Sequence, residues 1–195
     1  MKFSRAFSAI LIGAAMLPAL DNFASAQDGW ITLFDGKSLN GWDVQGNANW
    51  KLDDEGVQAD DGSGFLVSKQ PYKDFELKVE FLADESANSG VFIRCSDPAK
   101  IAPDACYEIN IYDKRADPNG GNGAIVNTAK PSTFLKVGGK WSTYEITARG
   151  DRFSIVLNGT KTVDGAQDAK HAAGHIALQR AAGTVKFRKV QIRPL

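Results

Sequence analysis

The chain has 195 residues, of which 43% are hydrophobic and 24% charged, with 23 basic and 23 acidic side chains in formal balance. That length suits one domain able to bury its own core without metal support. No basic run interleaved with aromatics occurs, which argues against nucleic acid as a partner.

Lys2 and Arg5 form a basic head, Ala9 to Leu20 an apolar run, and Ala24-Ser25-Ala26 an A-x-A cleavage site, so residues 1–26 read as a signal peptide. The apolar run is shorter than the roughly 20 residues of a spanning helix, and no cysteine follows the cleavage site to carry a lipid. The expected mature domain is 27–195, periplasmic or secreted, with no membrane anchor after cleavage. Removing Lys2, Arg5 and Asp21 from the 23 basic and 23 acidic residues leaves 21 and 22.

The mature chain opens with Gly29-Trp30-Ile31-Thr32-Leu33-Phe34-Asp35-Gly36 and continues to Leu39-Asn40-Gly41-Trp42. Asp-Gly allows a reversal with positive φ, so Leu33, Phe34 and Trp42 can pack together. Apolar and charged residues then alternate in Asp74–Phe81, a half-buried strand. Ser89–Cys95, Cys106–Tyr112, Thr143–Ala148, Phe153–Leu157, Gly174–Gln179 and Val185–Ile192 follow the same period. Asn158-Gly159 between two such runs predicts a two-residue hairpin. No mature segment sustains a helical period. The pattern predicts an all-β fold, a two-sheet antiparallel β-sandwich.

The two cysteines, Cys95 and Cys106, are an even pair in an exported chain, read most simply as one disulfide closing the 96–105 loop. A catalytic thiol or a zinc site would call for a C-x-x-C spacing or a nearby histidine, and both are missing. His171 and His175 are four apart, but Gly174 and the strand after it do not suit a helix that would bring them together. The glycine-rich stretch Asp117–Gly123 lacks the EF-hand pattern and reads instead as a rim loop. No metal or other cofactor is identified, and a divalent cation is left open without support.

Strand alternation sorts the polar residues by face. Val91 and Ile93 point to the core, leaving Asn88, Gly90, Phe92 and Arg94 opposite. Tyr107, Ile109 and Ile111 face inward, with Glu108, Asn110 and Tyr112 outward. Ile176 and Leu178 are inward, with His175, Ala177 and Gln179 outward. If these strands are neighbours, Arg94, Glu108, Asn110, His175 and Gln179 form one polar patch flanked by Phe92 and Tyr112. Planar polar groups beside aromatics suit sugar hydroxyls and CH faces. Decoration of a solvated sheet face fits the same residues.

The ordered motifs Leu33-Phe34-Asp35-Gly36, Leu39-x-Gly41-Trp42, Trp50, Asp74-Phe75-Glu76-Leu77, Asn88-Ser89-Gly90-Val91-Phe92-Ile93-Arg94, Tyr107-Glu108-Ile109, Gly123-Ala124-Ile125, Trp141, Leu157-Asn158-Gly159, Ile176-x-Leu178-Gln179 and Phe187-Arg188 are distributed through the stretch from Gly29 to Leu195. Together they resemble the 3-keto-disaccharide hydrolase family, which implies a concanavalin A-like jelly roll and a carbohydrate partner, an oxidised disaccharide or glycoside. The resemblance implies cleavage of 3-keto-glycosides. The ketone acidifies the C2 proton, and the glycosidic oxygen on C1 lies β to it, so one base and a hold on the enolate suffice. Glu108 is the first candidate base and His175 the second. Arg94, Asn110 and Gln179 are candidates for holding substrate oxygens, with Asn88, Phe92 and Tyr112 beside them.

Several positions depart from the family pattern: Asn110 for glutamine, Val126 for an aromatic, Ser142 for asparagine and His175 for proline. The E-x-D-x-E strand of retaining β-glucanases is absent, since Glu108-Ile109-Asn110-Ile111-Tyr112 offers one carboxylate where double displacement needs two. A non-catalytic lectin-like carbohydrate-binding module is the alternative that the same patch allows.

Overall fold

The computed structural model describes residues 28–195, and the expected signal peptide lies outside them. Thirteen strands form the domain: β1 (Ile31–Phe34), β2 (Trp42–Gly46), β3 (Lys51–Asp53), β4 (Gly56–Ala59), β5 (Gly64–Ser68), β6 (Phe75–Ala83), β7 (Ser89–Cys95), β8 (Tyr107–Ile111), β9 (Trp141–Arg149), β10 (Arg152–Leu157), β11 (Thr160–Gln167), β12 (His175–Arg180) and β13 (Val185–Pro194). One turn of 3-10 helix, Pro118–Gly120, interrupts the long connection after β8.

The strands make two antiparallel sheets, as expected of a jelly-roll sandwich. The larger runs β11-β10-β9-β6-β13-β4-β3 with β1 added along β13, and the smaller runs β2-β5-β12-β7-β8. Period-two sequence produces the core directly. In β6, Phe75, Leu77, Val79, Phe81 and Ala83 are buried while the charged residues between them are half-exposed. They meet Val91, Ile93, Tyr107, Ile109, Ile176 and Leu178 from the opposing sheet. Phe81 stacks on Tyr144 with centroids 5.0 Å apart, adding an aromatic pair to the apolar burial.

The opening motif folds as its residues suggest. Gly36 takes φ +84°, Phe34 and Trp42 are buried, and Trp42 Nε1 donates to the Leu33 carbonyl at 2.9 Å. Asn158 and Gly159, with φ of 50° and 79°, close the β10–β11 hairpin in the left-handed geometry that such turns require.

Alternation fails in one informative place. The strands β7 and β8 are buried along their whole length rather than on one face. Their outer face carries a second apolar cluster of Val67, Phe92, Cys95, Cys106 and Ala177, against which Ile101 and Ala105 of the 96–105 loop pack. The predicted Cys95–Cys106 disulfide ties that loop down. The free edge of β8 is paired as well: Asn110 N donates to Ala124 O, Gly123 N to Asn110 O and Val126 N to Glu108 O. The chain thereby covers a sheet edge that would otherwise invite pairing with another molecule.

Closing a ring of this size stabilises the fold by about 3 kcal/mol in the chain-entropy view. Denaturant unfolding of Cys95→Ala/Cys106→Ala should show a loss of that order, and unreduced wild-type protein should expose no titratable thiol.

Candidate functional site

The outer face of the five-stranded sheet brings most of the predicted polar residues together. Register aligns Phe65 of β5 with Gln179 of β12, and Gly90 of β7 with Asn110 of β8. Leu178 pairs with Val91, so Gln179 stands beside Gly90. The next row runs Val67, Ala177, Phe92, Glu108. Phe65 and Phe92 meet edge to face at 5.4 Å, giving an aromatic floor next to the carboxylate.

Gly90 is the centre of this arrangement. A Cβ built on it would lie 3.0 Å from Glu108 Oε1 and 3.1 Å from its Cγ, so the Glu108 side chain leans across the glycine toward β12. A glycine inside a strand often marks such a close approach. Glu108 is only 7% exposed, and desolvation pushes its carboxyl up to about 7, a rise that the positive charge of Arg115 partly offsets. An ordinary glutamate would be fully ionised at neutral pH; this one is divided between acid and base. Beside Gly90, Gln179 Oε1 is buried without a hydrogen-bond partner among the described residues. An unpaired buried amide oxygen is costly and lacks a donor.

The other predicted residues are placed differently. Asn110 is buried and spends its amide on the Gly120 carbonyl, so it anchors the loop rather than facing solvent. Asn88 is bonded through its backbone to Ala181 and Ala182 at the entrance to β7. Tyr112 lies just past β8, half-buried, and its amide donates to Asn122 Oδ1 at 2.6 Å. His175 pairs with Cys95, in the disulfide's row and not in that of Glu108. Its Nδ1 lies 2.6 Å from the Ser68 carbonyl, which only accepts, so this nitrogen carries the hydrogen.

Arg94 requires a correction. Alternation puts it on the outer face with Phe92, but it is 1% exposed and lies at the end of the sandwich interior. Its backbone has φ +53°, and the β7–β12 register shifts at this point, marking a bulge that rotates the strand. The guanidinium donates to the carbonyls of Lys73 (2.8 Å), Gly150 (2.7 Å) and His171 (3.3 Å), pairs with Asp74 at 3.0 Å, and sits 5.1 Å from the centre of the Phe153 ring. It is a structural cation joining three loops and has no reach to the outer face.

Sequence reasoning passed over Arg115 and the clasp that holds its loop. Asn122 is fully buried, donating to Asp113 Oδ1 (2.6 Å) and Leu135 O (2.7 Å), while Asp113 accepts from the amides of Val137 and Gly138, both at 2.9 Å. Contacts this distant in sequence leave no local signal, although the Asp117–Gly123 glycines do announce a tight loop. Among the described residues no group of three His, Cys, Asp or Glu side chains is arranged to hold a metal.

Two clefts flank the Glu108 row. One, of about 510 Å³, opens between Phe65 and the 96–105 loop, and one of about 400 Å³ lies at the edge of β8. A larger cleft, about 930 Å³, is on the opposite sheet, lined by Lys37, Asp53 and Glu80 among others. There Glu80 is matched to Arg188 (2.6 Å) and Asp53 to Lys186 (2.9 Å). Size alone favours that cleft, but its paired charges make it the weaker candidate for chemistry.

A jelly-roll sandwich with a desolvated carboxylate on the outer face of its smaller sheet belongs with carbohydrate-active proteins. The chain is a member of the 3-keto-alpha-glucoside-1,2-lyase-like domain family, whose model matches residues 29–193. It is 37% identical over 78 residues to a 3-keto-disaccharide hydrolase of Bacteroides thetaiotaomicron, a match covering 33% of this chain and 27% of that relative's length. A crystal structure from Parabacteroides distasonis ATCC 8503, provisionally assigned as a glycosyl hydrolase, superposes with a TM-score of 0.73 at 26% identity over 85% of this chain and 99% of that one. The carbohydrate-binding module CBM66 of Bacillus subtilis shares the fold, with a TM-score of 0.58 at 23% identity, covering 84% and 94% of the two chains.

Two outcomes follow. Replacing Arg94 by Met should lower the unfolding free energy by about 3 kcal/mol, since Asp74 loses its buried partner; urea denaturation measures this. For Glu108, the folded value of about 7 exceeds the ordinary 4.5, so the native state holds the proton longer than the unfolded state. Its contribution to stability is therefore greatest below the ordinary value and is lost as pH rises through the folded value. Glu108→Gln should remove this decline, seen as a stability gain over wild type that appears between those two values.

Proposed function

We propose that the protein cleaves 3-keto-glycosides by elimination followed by hydration, with Glu108 as the base. The observation that carries this reading is the desolvated carboxylate leaning over Gly90. A base works best when its pKa is near the operating pH, and about 7 meets that condition. The Glu108 carboxylate takes the C2 proton, and the electron pair moves onto the C3 carbonyl oxygen as an enolate. The enolate re-forms the ketone as the C1–O bond breaks, and the leaving oxygen takes the proton from Glu108. Water then adds at C1 and a proton returns to C2, so the sum of the two stages is hydrolysis.

The enolate needs positive partners. Arg115 supplies the nearby positive charge, and Gln179, beside Gly90 with its side-chain oxygen unpaired, is placed to accept from a substrate hydroxyl. Arg94 is removed from this role by its interior position, and Asn110 supports the site through the Gly120 carbonyl. His175 is the weaker base candidate because it stands in the disulfide's row, with the Ala177–Phe92 pair between it and the glycine floor. The reading extends to export, supported by the pattern of residues 1–26 and by a disulfide of the kind that persists in oxidising compartments.

Purified protein should release chromophore from a 3-keto-glucoside and none from the unoxidised glucoside. The rate should rise with pH as Glu108 ionises and level off above about 7. Glu108→Gln should lower kcat by about 100-fold or more while the protein stays folded. Binding of both glycosides with release from neither would contradict catalysis and leave a carbohydrate-binding module.

A further inference from the structure

We propose that Tyr144, on the opposite sheet, is a positioning residue for Glu108, holding from inside the core the segment that walls the carboxylate. This rests on the elimination reading above and assigns the support of its base. Tyr144 is fully buried in β9, its ring stacked on Phe81, and it reaches across the sandwich from the larger sheet. Its hydroxyl donates to the Asn110 carbonyl at 2.5 Å and accepts from the Gly123 amide at 2.7 Å. One phenol thus joins the outermost strand of the smaller sheet to the chain added along its edge. Burial pushes the ionisation of this phenol upward, so it stays neutral, able to give one hydrogen bond while taking another.

Gly123 is where the added segment starts. Thr162 of β11, 1% exposed, donates through Oγ1 to the Gly123 carbonyl at 3.0 Å. A Cβ on Gly123 would lie 2.5 Å from that oxygen, and the residue takes φ +75°, so the close approach requires glycine. Two strands of the larger sheet therefore grip one residue at the border of the smaller one. From Gly123 the chain runs antiparallel to β8 with Ile125 opposite Ile109, and Val126 N donates to Glu108 O at 2.9 Å. This register sets Val126 opposite Glu108, and residues paired across strands share a face. Val126 is one flank of the carboxylate, and Phe92, the Glu108 partner in β7, is the other. Asn110 extends the grip, since its amide holds the Gly120 carbonyl and Gly120 lies against Arg115.

The direction of the effect follows from which influence on the carboxyl is larger. Desolvation raises it and the charge of Arg115 lowers it, desolvation by more. Releasing the segment draws Val126 away, lets water reach the carboxylate and frees Arg115 as well. Losing a wall outweighs losing an exposed cation, so the carboxyl moves down toward its ordinary value.

Tyr144→Phe keeps the ring and removes only the hydroxyl. Carbon-13 titration of Glu108 in substrate-free protein should show its midpoint fall by about one pH unit. The rate on a 3-keto-glucoside should then reach half its plateau at a correspondingly lower pH. Thr162→Val removes the second grip at equal volume, should move both readings the same way, and carries the test if Tyr144→Phe does not fold. Tyr107→Phe is the control, because it removes a buried phenol bonded to Asp168 at 2.7 Å, at the end of the sandwich. It should lower stability and leave the Glu108 midpoint where it was. A midpoint moved by neither Tyr144→Phe nor Thr162→Val overturns the positioning role and leaves the elimination reading standing, as does an equal movement in Tyr107→Phe. A midpoint that moves as expected, in a protein whose wild type releases nothing from the 3-keto-glucoside, upholds the positioning role and overturns elimination. A wild-type midpoint at the ordinary 4.5 overturns the two together.

Discussion

The left-handed backbone of Arg94 is the constraint on which the site depends. Before it, β7 alternates with Val91 and Ile93 inward and Phe92 outward. Simple alternation would send Cys95 inward as well, away from Cys106 on the outer face of β8. The bulge inserts one interior residue, so Arg94 enters the end of the sandwich and Cys95 emerges on the same face as Cys106. The disulfide, and with it the packing of the 96–105 loop, is a consequence of that rotation. Arg94 holds the bulge in place through three carbonyls and Asp74, so the strain of a positive φ is offset by bonds made nowhere else.

The electrostatics of Glu108 follow from the same device. The loop brought down by the disulfide packs against Phe92, Ala177 and Val67, and this dry surface adjoins the carboxylate. Gly90 gives the side chain room to lie over the sheet, and the exposed Arg115 moderates the burial without cancelling it. A fully apolar enclosure would keep the acid protonated, and an exposed face would leave it a weak base. The arrangement between these limits holds the carboxyl where proton transfer is reversible near neutrality.

Much of the fold was legible in the sequence, because its determinants are local. The alternation in Phe75–Ala83, the Asn158-Gly159 turn and the Asp35-Gly36 reversal each act within a few residues, and all appear as read. The Glu108 and Gln179 faces were legible for the same reason. Arg94 was misplaced because a bulge changes the parity of everything beyond it, and the register shift with β12 that accompanies it involves residues some 80 positions away. Arg115 was invisible because its place depends on the Asn122–Asp113 clasp and on the Gly120–Asn110 bond, which form only once the long connection has folded onto the edge of β8. Asn110 kept its face and lost its expected role, since the carbonyl it serves lies in that same connection.

The central claim is that Glu108 is desolvated enough to act as a base near neutral pH, and its own titration tests this most directly. Carbon-13 chemical shifts of glutamate carboxyls, with Glu108 assigned by comparison with Glu108→Gln, give the ionisation of this side chain without any substrate. A midpoint near 7 is the predicted result. A midpoint at the ordinary 4.5 would show a hydrated carboxylate and would contradict the account of the site.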